Sequence, residues 1–179
     1  SYRALLPKKA MQEITKIASE AKEEDQFEFS GDDNHLFFKL GDRLLMSRKL
    51  SGNFPDYERV LPKEHPHVID MPTDELRAAV DRVSQFSDER TRSIHVKVAK
   101  GELKVHSSIS ETGESEETLQ VDYSGPEFEI GFNSSYMIDF LKAVGQDQVS
   151  LLLKDANSAG ELRAAGSENY RYVVMPMRI

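Results

Sequence analysis

One pattern recurs three times along this chain, and it limits the fold more than any other feature. A short apolar stretch leads into a helix whose apolar residues lie three and four apart, and alternating strands follow. The first copy has residues 4–6, then Pro7, then a helix with Ala10, Met11, Ile14, Ile17 and Ala18 on one face. The second has residues 68–71, then Pro72, then a helix with Leu76, Ala79, Val80 and Val83. The third has residues 128–132, then Asn133 as a helix cap, then a helix with Tyr136, Met137, Phe140, Leu141 and Val144. The helix starts at Pro7, Pro72 and Ser134 fall 65 and 62 residues apart.

Strand patterns follow each helix. The first copy predicts strands over 27–29, 35–40 and 43–50, and the second over 94–98, 103–107 and 117–121. The third predicts them over 149–153, 161–164 and 172–175. Turn residues separate them: Gly31 to Asn34, Lys100-Gly101, Gly113, and Asn157 to Gly160. The unit is therefore strand–helix–strand–strand–strand, an α+β arrangement with a helix on a small antiparallel sheet. A single copy leaves sheet edges and an apolar helix face open, so copies should pair. The short link Val121-Asp-Tyr-Ser-Gly125 joins copies two and three into one domain, residues 64–179. Copy one, residues 1–63, has no partner copy, and Ser1 is not an initiator Met, so the natural chain is expected to continue upstream.

Composition narrows the class. Charged residues make up 30% and hydrophobic ones 39%, as in an ordinary soluble domain. The absence of cysteine removes disulfide and thiol chemistry and suits a reducing compartment. No apolar run approaches the roughly 20 residues of a membrane span, and the start lacks a signal-peptide core. A net charge of −8 argues against tight binding to nucleic acid through a general basic surface.

Two apolar segments remain unexplained by the repeat. The chain ends Tyr172-Val-Val-Met-Pro-Met-Arg-Ile179, apolar almost throughout, although termini are usually polar and frayed. Pro176 cannot donate to a strand ladder, so pairing should stop near it. The other segment, Gly52-Asn-Phe-Pro-Asp-Tyr-Glu-Arg-Val-Leu-Pro62, joins copies one and two and is stiffened by its two prolines. It reads either as a rigid connector or as one wall of a cleft at a domain junction.

Phe54-Pro-Asp-Tyr-x-Arg-Val-Leu-Pro62, Tyr123-Ser-Gly125, Gly131-Phe-Asn133-x-Ser-Tyr136 and the tail resemble, in this order, the bacterial sliding clamp family, beta subunits of the replicative DNA polymerase. The resemblance spans the whole chain. It implies a DNA-clamp fold with antiparallel sheets outside and helices lining the bore of a homodimeric ring. Residues 1–63 correspond to the second half of the middle domain and 64–179 to the complete third domain. It further implies a cytoplasmic, nucleoid-associated, non-catalytic processivity factor without cofactor or metal, bound to duplex DNA topologically rather than by sequence. Expected partners are the polymerase catalytic subunit, the clamp loader, and repair and translesion polymerases, which dock through short peptides. Carried over by motif, Pro55, Arg59 and Val60 line that peptide groove from the connector. Val173, Val174, Met175, Pro176, Met177 and Arg178 line it from the tail, and Asn133 and Tyr136 form the adjoining shelf. Pliable methionines suit a surface that accepts many partners. Gln85 and Phe86 fall at the expected subunit interface. Lys8, Lys9, Lys16, Arg77, Arg82 and Lys142 are candidates to face DNA.

Catalytic patterns are weak by comparison. His65-Pro-His67 has no carboxylate or cysteine at metal spacing. His95 and His106 lie on successive strands and can meet, which leaves a small α+β hydrolase with either as base as the competing class. Ser107-Ser108 lacks a nucleophile-elbow context, and no glycine-rich phosphate loop is present. The acidic hairpin Glu111 to Glu117 is read as a mobile loop, with a cation site there as the lesser alternative. A purely structural remnant is the third reading.

Overall fold

A computed structural model describes residues 3–22, 24–109 and 113–178. Part of the acidic hairpin and the final Ile179 therefore lie outside the described residues. Among the described residues, three α-helices and three antiparallel sheets make an α+β chain that divides into two compact units, residues 1–56 and 57–179.

In the first unit, α1 (Lys8–Ser19) precedes β1 (Phe27–Gly31), β2 (His35–Leu40) and β3 (Arg43–Arg48), which pair in that order. Of the helical face read from sequence, Ala10 is buried, Ile14 and Ile17 are half-buried, and Met11 and Ala18 are exposed. Leu36 and Leu40 are buried, while Phe27, Phe29, Leu44 and Met46 remain exposed. The expected strand over residues 4–6 does not form. Its one ladder-like contact is Leu50 N–H donating to Leu5 O at 3.0 Å. The physical reason appears in the second unit, where opening strands never pair within their own copy.

That unit contains β4 (His67–Pro72), α2 (Thr73–Ser84), β5 (Ser93–Ala99), β6 (Glu102–Ile109), β7 (Gly113–Gln120), β8 (Phe128–Asn133), α3 (Ser134–Ala143), β9 (Gln148–Leu153), β10 (Gly160–Ala164) and β11 (Arg171–Val174). One sheet runs β11-β10-β9-β4 and the other β7-β6-β5-β8. Each sheet thus takes three strands from one copy and the opening strand of the other. β4 pairs with β9 and β8 pairs with β5. Period-two alternation drives this, since Ile94, Val96 and Val98 on β5 and Ile130 and Phe132 on β8 all point into the core. The two helices pack on each other, α2 against β4 to β7 and α3 against β8 and β11. Leu76, Ala79, Val80 and Val83 of α2 and Met137, Phe140 and Leu141 of α3 are buried.

Polar contacts stitch the copies further. Pro72 gives α2 no side-chain cap, and the Thr73 N–H instead donates to Asp147 O at 2.9 Å, in the loop after α3. Thr73 Oγ1 donates to Gln146 O at 2.6 Å in the same loop. Tyr123, from the link between copies, donates its hydroxyl to Pro126 O at 2.9 Å and lies 3.1 Å from His67 Nδ1. That geometry makes the His67 nitrogen the donor. A Cβ on Gly125 would sit 2.3 Å from the Tyr123 oxygen, which explains the glycine of this motif.

Gly160 is a second forced glycine. It pairs with Val174, and a Cβ there would come within 2.7 Å of the buried Phe132 ring and 3.1 Å of Leu153. Gly160→Ala should therefore destabilise the second unit by about 1–3 kcal/mol through overpacking. Urea unfolding checks this, and an unchanged midpoint would show that the Phe132 ring can yield.

Candidate functional site

The tail leaves its sheet in two steps. Val174 is the last ladder residue, opposite Gly160. Beyond Pro176, Met177 N–H donates to Gly131 O at 2.8 Å, an isolated bridge to β8 of the other sheet. The chain end thus spans from one sheet to the other. Met175 and Pro176 form the short crossing, with Met175 62% exposed.

Beside this crossing lies an open depression of about 560 Å3 lined by Asn133, Tyr136 and residues 172–177. Asn133 and Tyr172 are held from behind. Asn133 caps α3, its Oδ1 accepting from Ser135 N–H at 2.9 Å and Tyr136 N–H at 3.4 Å. Its Nδ2 donates to Thr91 O at 3.0 Å. Tyr172 packs on the fully buried Phe140, ring centroids 5.4 Å apart, and Tyr170 stacks on the same ring at 5.5 Å. Burial, with a smaller contribution from Asp139, pushes the Tyr172 hydroxyl pKa up, so it stays a neutral phenol. The depression is mostly apolar, with Asn133 and the Tyr136 and Tyr172 hydroxyl-bearing rings among its lining residues. That is the chemistry of a peptide or small-molecule dock rather than of a reaction centre.

The sheet under the tail is held by a buried charge. Glu161 on β10 is 0% exposed and accepts from Arg171 Nε at 2.6 Å and Arg171 Nη2 at 2.7 Å. Arg163 donates to the same carboxylate, and His65 Nε2 lies 3.0 Å from it. Burial works to raise the Glu161 pKa, but the bonds from Arg171 and Arg163 outweigh it and bring it to about 2. Arg171 Nη2 also donates to Pro62 O at 3.2 Å. The end of the proline-bracketed connector is thereby tied to β11. Packing accordingly divides the chain at 56/57, where the repeat reading placed the boundary at 63/64.

The structure brings Asn133, Tyr136, Val173, Val174, Met175, Pro176 and Met177 together around one depression, and it adds Tyr172, which the sequence suggested only as a strand residue. Arg59 and Val60 sit on and just after a 3-10 turn at Tyr57–Arg59, exposed, and are not among its lining residues. Arg178 is exposed beyond the bridge, and Pro55 belongs to the first unit. Gln85 follows α2 with its side-chain amide donating to Asp81 O at 3.3 Å. Phe86 is 36% exposed, and its carbonyl accepts from the buried Ser107 hydroxyl at 3.2 Å. Lys8, Lys9, Lys16 and Lys142 are exposed. Arg77 is engaged by Asp74 at 3.0 Å, and Arg82 is held in a fork by Glu117 at 2.6 and 3.0 Å. His95 and His106 do meet, their rings stacked 4.7 Å apart. The Glu161 cluster escaped sequence reasoning, although Glu161 and Arg163 lie two apart in a strand and so share one face.

A family model described as DNA polymerase III beta subunit, C-terminal domain, matches residues 58–178. The beta sliding clamp of Pseudomonas putida is 36% identical over 178 residues, 99% of this chain and 48% of its own length. That of Escherichia coli K12 is 34% identical over 179 residues, 100% of this chain and 48% of its own length. This chain therefore spans about half the length of the curated relatives it matches. Among solved structures, a DNA polymerase sliding clamp from Pseudomonas aeruginosa with ligand superposes with a TM-score of 0.90 at 34% identity, covering 99% of this chain and 48% of that one. A clamp from the same organism bound to griselimycin gives 0.89 at 34% identity, with the same coverage.

Acid probes the Glu161 clamp. The folded carboxyl lies below its ordinary value of 4.5, so its stabilisation is complete above that pH and is lost as pH falls toward 2. The loss should reach on the order of 3 kcal/mol. Glu161→Gln should flatten this acid slope and cost about 3–5 kcal/mol near neutrality, because it strands Arg163 and Arg171. Urea unfolding across the acid range reads both, and a variant with the wild-type slope would exclude this carboxylate as the source.

Proposed function

The chain belongs to the DNA polymerase III beta subunit family, the beta sliding clamps, and on that footing we propose that it forms part of a ring around duplex DNA that tethers DNA enzymes. Residues 1–63 act as the second half of a middle domain and 64–179 as a third domain. The protein catalyses nothing itself. It raises the effective concentration of a bound polymerase at its template, so that the polymerase rebinds instead of diffusing away.

The observation that carries this reading is the apolar depression built by Asn133, Tyr136 and the tail inside the region that the family model matches. A short peptide from the polymerase, clamp loader, or a repair or translesion polymerase would lay an apolar side chain against Met175, Pro176 and Tyr172. Arg59 and Arg178 would meet its carbonyl or carboxylate groups, with Val60 as a further apolar contact. Gln85 and the partly exposed Phe86 suit a contact between two subunits.

The electrostatics agree with a topological link. A chain of net charge −8 holds DNA poorly by charge alone, and two of the six candidate cations, Arg77 and Arg82, already face acidic partners. Exposed Lys8, Lys9 and Lys16 around α1, and Lys142 on α3, would supply mild basic contacts that permit sliding. A cytoplasmic, nucleoid-associated location follows from this role.

Fluorescence polarisation with a labelled peptide of polar and aromatic or aliphatic residues tests the site. Saturable binding is expected, weakened about tenfold or more by Met175→Ala or Tyr136→Ala. An absence of binding, or equal binding by both variants, would remove the depression as the dock.

A further inference from the structure

The solvent-facing side of the β7-β6-β5-β8 sheet carries a cluster unconnected with the depression. His95 and His106 are direct cross-strand partners on β5 and β6. Glu129, on β8, reaches both. His95 Nδ1 lies 2.7 Å and His106 Nε2 3.2 Å from the same Glu129 Oε1. The three donor atoms all lie within 4.8 Å of one another, and all three residues are half-buried.

Three features distinguish this from chance surface contacts. The residues come from three adjacent strands in one sheet, whose opposite face is fixed by the buried Ile94, Val96, Val105 and Ile130. The backbone therefore sets their spacing, as a preorganised site requires. The Glu129 Oε1 atom is shared between the two imidazoles, at 2.7 and 3.2 Å, so all three donors converge on one point. The nearby cations are already matched, Lys97 by Glu127 at 2.7 Å and Lys104 by Glu116 at 2.9 Å.

We propose that His95, His106 and Glu129 form a binding site for a divalent transition cation of the zinc class. Two imidazoles and one carboxylate are a common three-ligand set for zinc, with a fourth position left for water. Zinc–ligand bonds of about 2.0 Å place tetrahedral donors about 3.3 Å apart. The Glu129 oxygen lies 2.7 and 3.2 Å from the two imidazole nitrogens, and all three donors lie within 4.8 Å of one another. The site would cross-link β5, β6 and β8 on the face away from the helices.

Zinc chloride titrated into the metal-stripped 179-residue chain, followed by calorimetry, tests this. One ion per chain should bind saturably at micromolar concentration. His106→Gln and Glu129→Gln should each weaken binding by at least about tenfold. His35→Gln, which alters a separate histidine–carboxylate pair with Asp32, should leave it unchanged. Two of the five histidine ring signals in the wild-type NMR spectrum should move with zinc, a readout that needs no variant. Absence of saturable binding, binding that survives His106→Gln, or movement of other histidines instead would overturn the site and leave a hydrogen-bonded cluster only.

Discussion

The exchange of opening strands is the constraint on which the second unit rests. β4 completes the sheet of the third copy, and β8 completes that of the second. Neither copy can close a sheet or bury its helix alone. The fully buried Ile69 and Met71 of β4, and Ile130 and Phe132 of β8, contribute their burial only when both copies are present. At about 1.5–3 kcal/mol for each such side chain, this outweighs any single polar contact in the unit. Folding of the two copies is therefore one cooperative event, reinforced where α2 takes its cap from the loop after α3.

This constraint also separates what the sequence disclosed from what it hid. Alternation in β5 and β6 and the three-and-four spacing in α2 and α3 were legible because burial writes a period into the chain. Partner identity writes none. Residues 4–6 carry the apolar signature of an opening strand and yet form no strand, since such a strand depends on the first post-helical strand of another copy. The equivalent position in the first unit is β1, whose other neighbour is β2.

The site shows the same division. Asn133, Tyr136 and the tail were legible from residue type and from the family resemblance. The bridge from Met177 to Gly131 was not, since Pro176 signals only where pairing stops, not where the chain goes next. Glu161 was passed over because a strand glutamate is usually solvated, and only the placement of Arg171 ten residues later turns it into a buried anchor. Glu129 was missed for a related reason. It lies diagonal to His95 across the β5–β8 pair, a relation that exists only once the register is known.

The tail is fastened on both sides of its crossing, by the ladder ending at Val174 and by the backbone bond from Met177 to Gly131. Only two residues lie between these moorings. Conformational freedom that a mobile terminus would surrender on contact has already been given up during folding. A visitor to that surface meets a finished relief instead of a chain end that must be caught and ordered. Complexes there should therefore form without a slow rearrangement step, and differences among visitors should appear in how long they stay rather than in how quickly they arrive.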